Sequence, residues 1–107
     1  MNPAKKHVLI LFGGVSSEHE ISCISASEIC ANIDEDAYTL SRIGITKDGK
    51  WFLYKGDLAR LREGRWSADE ALLEPAVLSP CPAHHGYLLL DRAAGTYRVI
   101  RVDAAFP

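Results

Sequence analysis

Nothing in this sequence approaches the roughly 20 consecutive apolar residues that a membrane-crossing helix needs. The run HVLILF, opening at His7, is also too short for the core of a signal peptide. Cysteine is scarce: Cys23, Cys30 and Cys81 are odd in number, spread out, and form no CxxC. That excludes a disulfide framework and a zinc knuckle, and free thiols fit a reducing cytosol. An excess of one charge is missing too. A formal net charge of −2 excludes a nucleic acid or an acidic membrane held by bulk charge. Internal repeats and low-complexity tracts are absent.

What is present is ordinary. The 107 residues, 48% apolar and 24% charged, match one globular domain spanning residues 1–107. A domain of this length buries roughly two-thirds of the surface of its unfolded chain, enough for a core. Residues 7–12 run apolar without alternation, the pattern of a strand buried on both faces and opening a parallel sheet. A helix follows, on which Ile21, Ile24, Ile29 and Ile33 form an apolar stripe expected to pack on that sheet. It should end within residues 32–36, an acidic, turn-like stretch. Cys23 and Cys30 lie two helical turns apart and read as small buried hydrophobes.

Residues 38–46 read as a second strand. Asp48-Gly49 is a hairpin signal, with residues 51–54 as the returning strand. A short helix is expected around residues 58–63. Pro75, Pro80 and Pro82 leave room only for a short strand near Val77. Residues 87–91 and 96–101 flank Arg-Ala-Ala-Gly as a second hairpin, and residues 102–106 should re-enter the main sheet. Trp51 and Trp66 read as packing residues, and His84-His85 as a surface loop. The chain stops within a strand-like run, VDAAFP, the ending expected of a fragment of something longer.

The dense chemistry lies in FGGVSSEHEIS. In open α/β sheets ligands sit beyond the carboxyl ends of strands, and a helix N-terminus there offers free N–H groups to an anion. The turn lacks the third glycine of GxGxxG and the Gly-Lys-Ser/Thr of a phosphate loop, which argues against a dinucleotide or P-loop site. Ser17 and Glu20 match a capping box. Glu18 then falls on the first helical position, where no cap is needed. Two roles stay open to it: balancing the helix dipole, or holding a ligand ammonium. His19 reads as a solvated first-turn side chain rather than an acid–base group.

VLILFGGVSSEHEISCISASEI closely resembles the N-terminal signature of the D-alanine–D-alanine ligases: an apolar strand, then Gly-Gly-x-Ser-x-Glu-x-Glu-(Val/Ile)-Ser and a helix with a Ser-Ala pair. The matching residues are Gly13, Gly14, Ser16, Glu18, Glu20, Ile21, Ser22 and Ser25-Ala26. RIGITKDGKWFL and VDAAFP resemble later parts of the same domain, while residues 56–100 match loosely. The resemblance implies an α/β fold: a Rossmann-like, pre-ATP-grasp, three-layer domain with a mostly parallel sheet and inserted hairpins. It implies a cytoplasmic enzyme that joins two D-alanines for peptidoglycan synthesis through an acylphosphate. ATP and magnesium (or manganese) would be bound by central and C-terminal domains outside this segment, and none within it, so the fragment alone should be inactive. The complete protein would be a homodimer.

On the same resemblance Glu18 binds the ammonium of the first D-alanine and is the catalytic assignment. Ile21 lines that substrate's pocket, Gly13, Gly14 and Ser22 join the substrate-binding set, and no metal ligand is expected. Two alternatives stand beside this reading. One is the domain of a ligase making D-alanyl-D-lactate or D-alanyl-D-serine; the other is a non-catalytic Rossmann-like binding module. An oxidoreductase's cofactor domain is disfavoured by the missing GxGxxG.

Overall fold

The computed structural model describes residues 5–106; Pro107, the last residue of VDAAFP, lies outside them. In chain order the elements are β1 (Lys6–Gly13), α1 (His19–Asn32), β2 (Tyr38–Ile45), β3 (Trp51–Tyr54), α2 (Leu58–Arg62), a 3-10 turn (Glu70–Leu72), β4 (Leu73–Leu78), β5 (Gly86–Asp91), β6 (Thr96–Arg101) and β7 (Ala104–Phe106). One seven-stranded sheet runs β6-β5-β4-β3-β2-β1-β7. As the apolar run foretells, β1 is an interior strand, flanked by β2 and β7, and is buried on both faces, with Val8, Ile10 and Phe12 on one side and Leu9 on the other.

The sheet is mixed, not mostly parallel. Only β2 and β7 lie parallel to β1; the four remaining pairings are antiparallel. Connection length decides this. Helix α1 supplies the long crossover that parallel β1 and β2 require, whereas a tight turn can join only antiparallel neighbours. Both expected hairpins form. Gly49 takes φ +85° between β2 and β3, and Gly95 takes φ +68° between β5 and β6. At the second turn Asp91 accepts the Ala94 N–H through its side chain (3.1 Å).

β4 is longer than three prolines allow on paper, because Pro75 is taken into it. Residues Leu73, Glu74 and Pro75 pair with β3, and Ala76, Val77 and Leu78 pair with β5. The proline stands where one partner gives way to the other, the kind of sheet irregularity that tolerates a residue without an N–H. Beyond it the sheet curls back on itself. The Tyr87 hydroxyl of β5 lies 2.6 Å from Ser41 Oγ of β2, three strands away. At the usual 4.7–4.9 Å strand spacing, a flat sheet would hold those strands about 14 Å apart. The curled end covers the second face of β1 and β2, where Leu9, Ile43, Ala76 and Tyr87 form a core with Leu89 and Ile100 beside it. Among the described residues, that layer is sheet folded over sheet.

Both helices lie on the other face. Asp57 caps α2 by accepting the Arg60 N–H (2.8 Å). Helix α1 ends at Asn32, as its acidic successor residues imply, but its inward face is not the isoleucine stripe. Its buried residues are His19, Cys23, Ala26, Ser27 and Cys30, while Ile21, Ile24 and Ile29 are 59%, 38% and 41% exposed. Small side chains let the helix sit close over the large Val8, Ile10 and Phe12, so volume complementarity outweighs hydrophobicity in choosing the face. Trp66, 1% exposed, fills the space beside Phe12 and Tyr54. Among the described residues no helix is long and apolar enough to cross a membrane.

Candidate functional site

The loops after β1 and β2 meet at the carboxyl ends of these parallel strands. Gly13 and Gly14 take φ +83° and +113°, conformations that side chains resist. A Cβ on Gly13 would stand 2.3 Å from the Ile45 carbonyl oxygen, so the residue is fixed by the neighbouring strand as well as by its own torsion. A Cβ on Gly14 would meet nothing within 4 Å, leaving open space beside the backbone there.

Three contacts hold this turn. The Gly14 N–H donates to the Ile45 carbonyl (2.7 Å). The Gly13 N–H donates to Ser22 Oγ (3.0 Å). His19 Nδ1 lies 2.7 Å from the Gly14 carbonyl oxygen. Ser22 therefore buttresses the turn from the helix, and its O–H still has a proton to donate. His19 is not solvated: it is 5% exposed and packed against Trp66. A sequence signal for this existed, since His19 precedes Cys23 by four residues and shares the face of the small residues. Trp66 carries no comparable signal, because it reaches the site from an irregular segment.

The capping box does not form. Helix α1 starts at His19 with Glu18 as its N-cap residue, and no side chain caps it. Ser16 closes the approach instead: its Oγ accepts the Glu18 N–H (3.2 Å) and its carbonyl accepts the His19 N–H (3.3 Å). Glu20 turns outward to Lys47 in the β2–β3 turn, and the hydrogen bond from that ammonium is the first cause holding its carboxyl below the ordinary value. Glu18 is exposed, and among the described residues its carboxylate has neither a hydrogen bond nor an ion pair. Ile21 stands one turn along α1, also exposed.

An open groove of about 920 Å³ runs beside this site, lined in part by His19, Glu20, Lys47, Lys50, Phe52 and Glu70. Its lining omits Gly13, Gly14 and Glu18, and its mixed charge selects no ligand. Among the described residues no three His, Cys, Asp or Glu side chains gather to hold a metal ion. The glycine turn is not followed by the Gly-Lys-Ser/Thr of a phosphate loop. His84 and His85 are far from this turn in sequence, and His84 Nδ1 pairs with Ser79 Oγ (2.5 Å).

Residues 7–107 match the family described as D-ala D-ala ligase N-terminus. The chain is 36% identical over 103 residues to a Thermoanaerobacter sp. D-alanine–D-alanine ligase, covering 96% of this chain and 27% of that protein. With the Clostridium novyi enzyme of the same name it shares 52% over 71 residues, 66% of this chain and 21% of the relative. Among solved structures, VanG D-Ala:D-Ser ligase from Enterococcus faecalis superposes with a TM-score of 0.88 at 35% identity, over 97% of this chain and 29% of that one. The Coxiella burnetii D-alanine–D-alanine ligase gives 0.72 at 28% identity, over 96% of this chain and 28% of that one. The chain thus spans about a quarter of the length of the relatives it matches. With the family match running over residues 7–107, almost the whole chain, the chain belongs to the D-alanine–D-alanine ligase N-terminal domain family.

Proposed function

We propose that this domain binds the first D-alanine of an ATP-dependent ligase that makes D-alanyl-D-alanine for peptidoglycan. The observation that carries the reading is Glu18: an exposed carboxylate, free of a capping bond, just beyond the carboxyl end of β1, an interior strand of the sheet. An ionised carboxylate accepts charge-assisted hydrogen bonds from an ammonium, the strong class of such bonds. Gly13 and Gly14 give the backbone a close approach to that ligand, Ile21 offers an apolar wall to a methyl group, and Ser22 holds the turn in place. ATP and magnesium would supply the activation of the substrate carboxylate from the remaining three-quarters of the polypeptide. This chain's own contribution is to bind and orient.

The test is made in the polypeptide extended by the remaining domains, assayed by ATP- and D-alanine-dependent phosphate release. Glu18→Gln keeps shape and removes charge. A charged hydrogen bond contributes about 1.5–3 kcal/mol, so turnover or D-alanine affinity should fall about tenfold or more. An unchanged rate overturns the assignment. The chain alone should release no phosphate.

A second reading has one observation in its favour: the 0.88 TM-score belongs to a D-Ala:D-Ser ligase. Both readings use the same first substrate. Supplying D-serine, D-lactate or D-alanine as the second substrate separates them by product.

A further inference from the structure

We infer that His19 is a positioning residue that locks the glycine turn, acting through one ring tautomer set by Trp66; the inference rests on the reading of this turn as a substrate site. Two neighbours face the two ring nitrogens. The Gly14 carbonyl oxygen, 2.7 Å from Nδ1, can only accept. The Trp66 indole N–H, its nitrogen 3.4 Å from Nε2, can only donate. Both demand the same arrangement, with the proton on Nδ1 and the bare lone pair on Nε2. The indole and imidazole planes lie 16° apart with centroids 6.3 Å apart, side by side rather than face on face.

The anchor behind the histidine is rigid. Trp66 packs edge-on against Phe12 at 4.8 Å between centroids and against Tyr54 at 6.1 Å. It sits over Gly44 so closely that a Cβ there would lie 2.4 Å from the indole and 2.6 Å from the Phe12 ring. Gly44 of β2 thus makes room for Trp66, Trp66 orients His19, and His19 holds the Gly14 carbonyl. The carbonyl sits in the turn whose next ordered bond carries Glu18. A ring set one residue after Glu18 is placed to decide how the carboxylate's backbone leaves the strand. At 5% exposure it offers little surface to a substrate, and both ring nitrogens face the scaffold, which makes its role a positioning one.

The experiment separates position from stability. In the 107-residue chain, ring nitrogen shifts read by NMR should show His19 protonated at Nδ1 and bare at Nε2. The opposite tautomer overturns the inference. In the extended polypeptide, His19→Phe keeps an aromatic ring but loses the donor, whereas His19→Asn places an amide N–H near the Nδ1 position. His19→Phe should raise the KM for D-alanine about tenfold, the scale of a misplaced binding group, and His19→Asn should restore most of that loss. Equal KM values for both variants and the parent overturn the positioning role, as does equal impairment of the two variants. If Glu18→Gln is silent, the substrate reading itself fails; if Glu18→Gln is impaired while His19→Phe is not, only the role of His19 fails.

Discussion

Gly13→Ala is the sharpest perturbation of the turn. The substitution adds one methyl group and meets two penalties. The first is torsional: at φ +83° a side chain costs about 1–2 kcal/mol. The second is steric, since the new Cβ would lie 2.3 Å from the Ile45 carbonyl oxygen. That oxygen belongs to a paired strand and accepts the Gly14 N–H at 2.7 Å. Moving it loosens that bond, at about 1 kcal/mol. The expected loss is about 2–3 kcal/mol, against a total stability of about 5–15 kcal/mol for such a domain.

Gly64→Ala provides the matched control. Gly64 has nearly the same torsion, φ +76°, but a Cβ there meets nothing within 4 Å. It should show the torsional penalty alone, about 1–2 kcal/mol. Urea unfolding followed by tryptophan fluorescence reads both variants, because Trp66 is buried in the core beside the turn. With a slope of about 2 kcal/mol per molar urea, Gly13→Ala should lower the midpoint by about 1–1.5 M. If Gly13→Ala is no more harmful than Gly64→Ala, the contact with β2 does not constrain the turn and the reasoning is wrong.

Two further outcomes follow from burial. On α1, Ile29→Ser should change stability by no more than about 0.5 kcal/mol, while Ala26→Leu, though more hydrophobic, should cost about 1–3 kcal/mol by overpacking; the reverse order in thermal or urea unfolding would restore the isoleucine stripe as the packing face. Burial first of all raises the Cys23, Cys30, Tyr54 and Tyr87 groups above their ordinary values of 9.0 and 10.0. Their neutral forms are thus favoured in the fold: the stabilisation is whole below pH 9.0 and is lost as the pH climbs through that value and then 10.0. Urea midpoints should fall as the pH rises from about 9 to about 11, towards the raised values of the folded groups, and a flat profile would refute the coupling.

Local signals carried the fold where local physics decides it. The uninterrupted β1 run, Asp48-Gly49, and the Arg-Ala-Ala-Gly turn of residues 92–95 each specify their own geometry, and each forms as read. Long-range choices were less legible. The antiparallel majority follows from short connections taken together, and the curl needs a contact between Tyr87 and Ser41, 46 residues apart. Hydropathy misled on α1, because its inner face was chosen by the size of Val8, Ile10 and Phe12 opposite. A helix read alone shows its own stripe and not the volume it must fit.

The same division explains the glycine turn. From spacing, Ser17 and Glu20 seemed to cap the helix, and Glu18 was the residue left over. In the fold Glu18 is still left over, for different reasons. Ser16 closes the turn, Ser22 and His19 hold the glycines, and Glu20 is drawn out to Lys47, a partner 27 residues away. Neither Lys47 nor Trp66 was visible as a partner from the motif itself. Ser16, His19, Glu20 and Ser22 are each engaged by the scaffold, whereas among the described residues the exposed carboxylate of Glu18 has no hydrogen bond or ion pair. Such a distribution is what a preorganised ligand group requires, since a carboxylate that also capped the helix would have to give up that bond to take an ammonium. Mutating Glu18 should accordingly change binding while leaving the fold intact, whereas mutating Ser22 or His19 should disturb the turn itself.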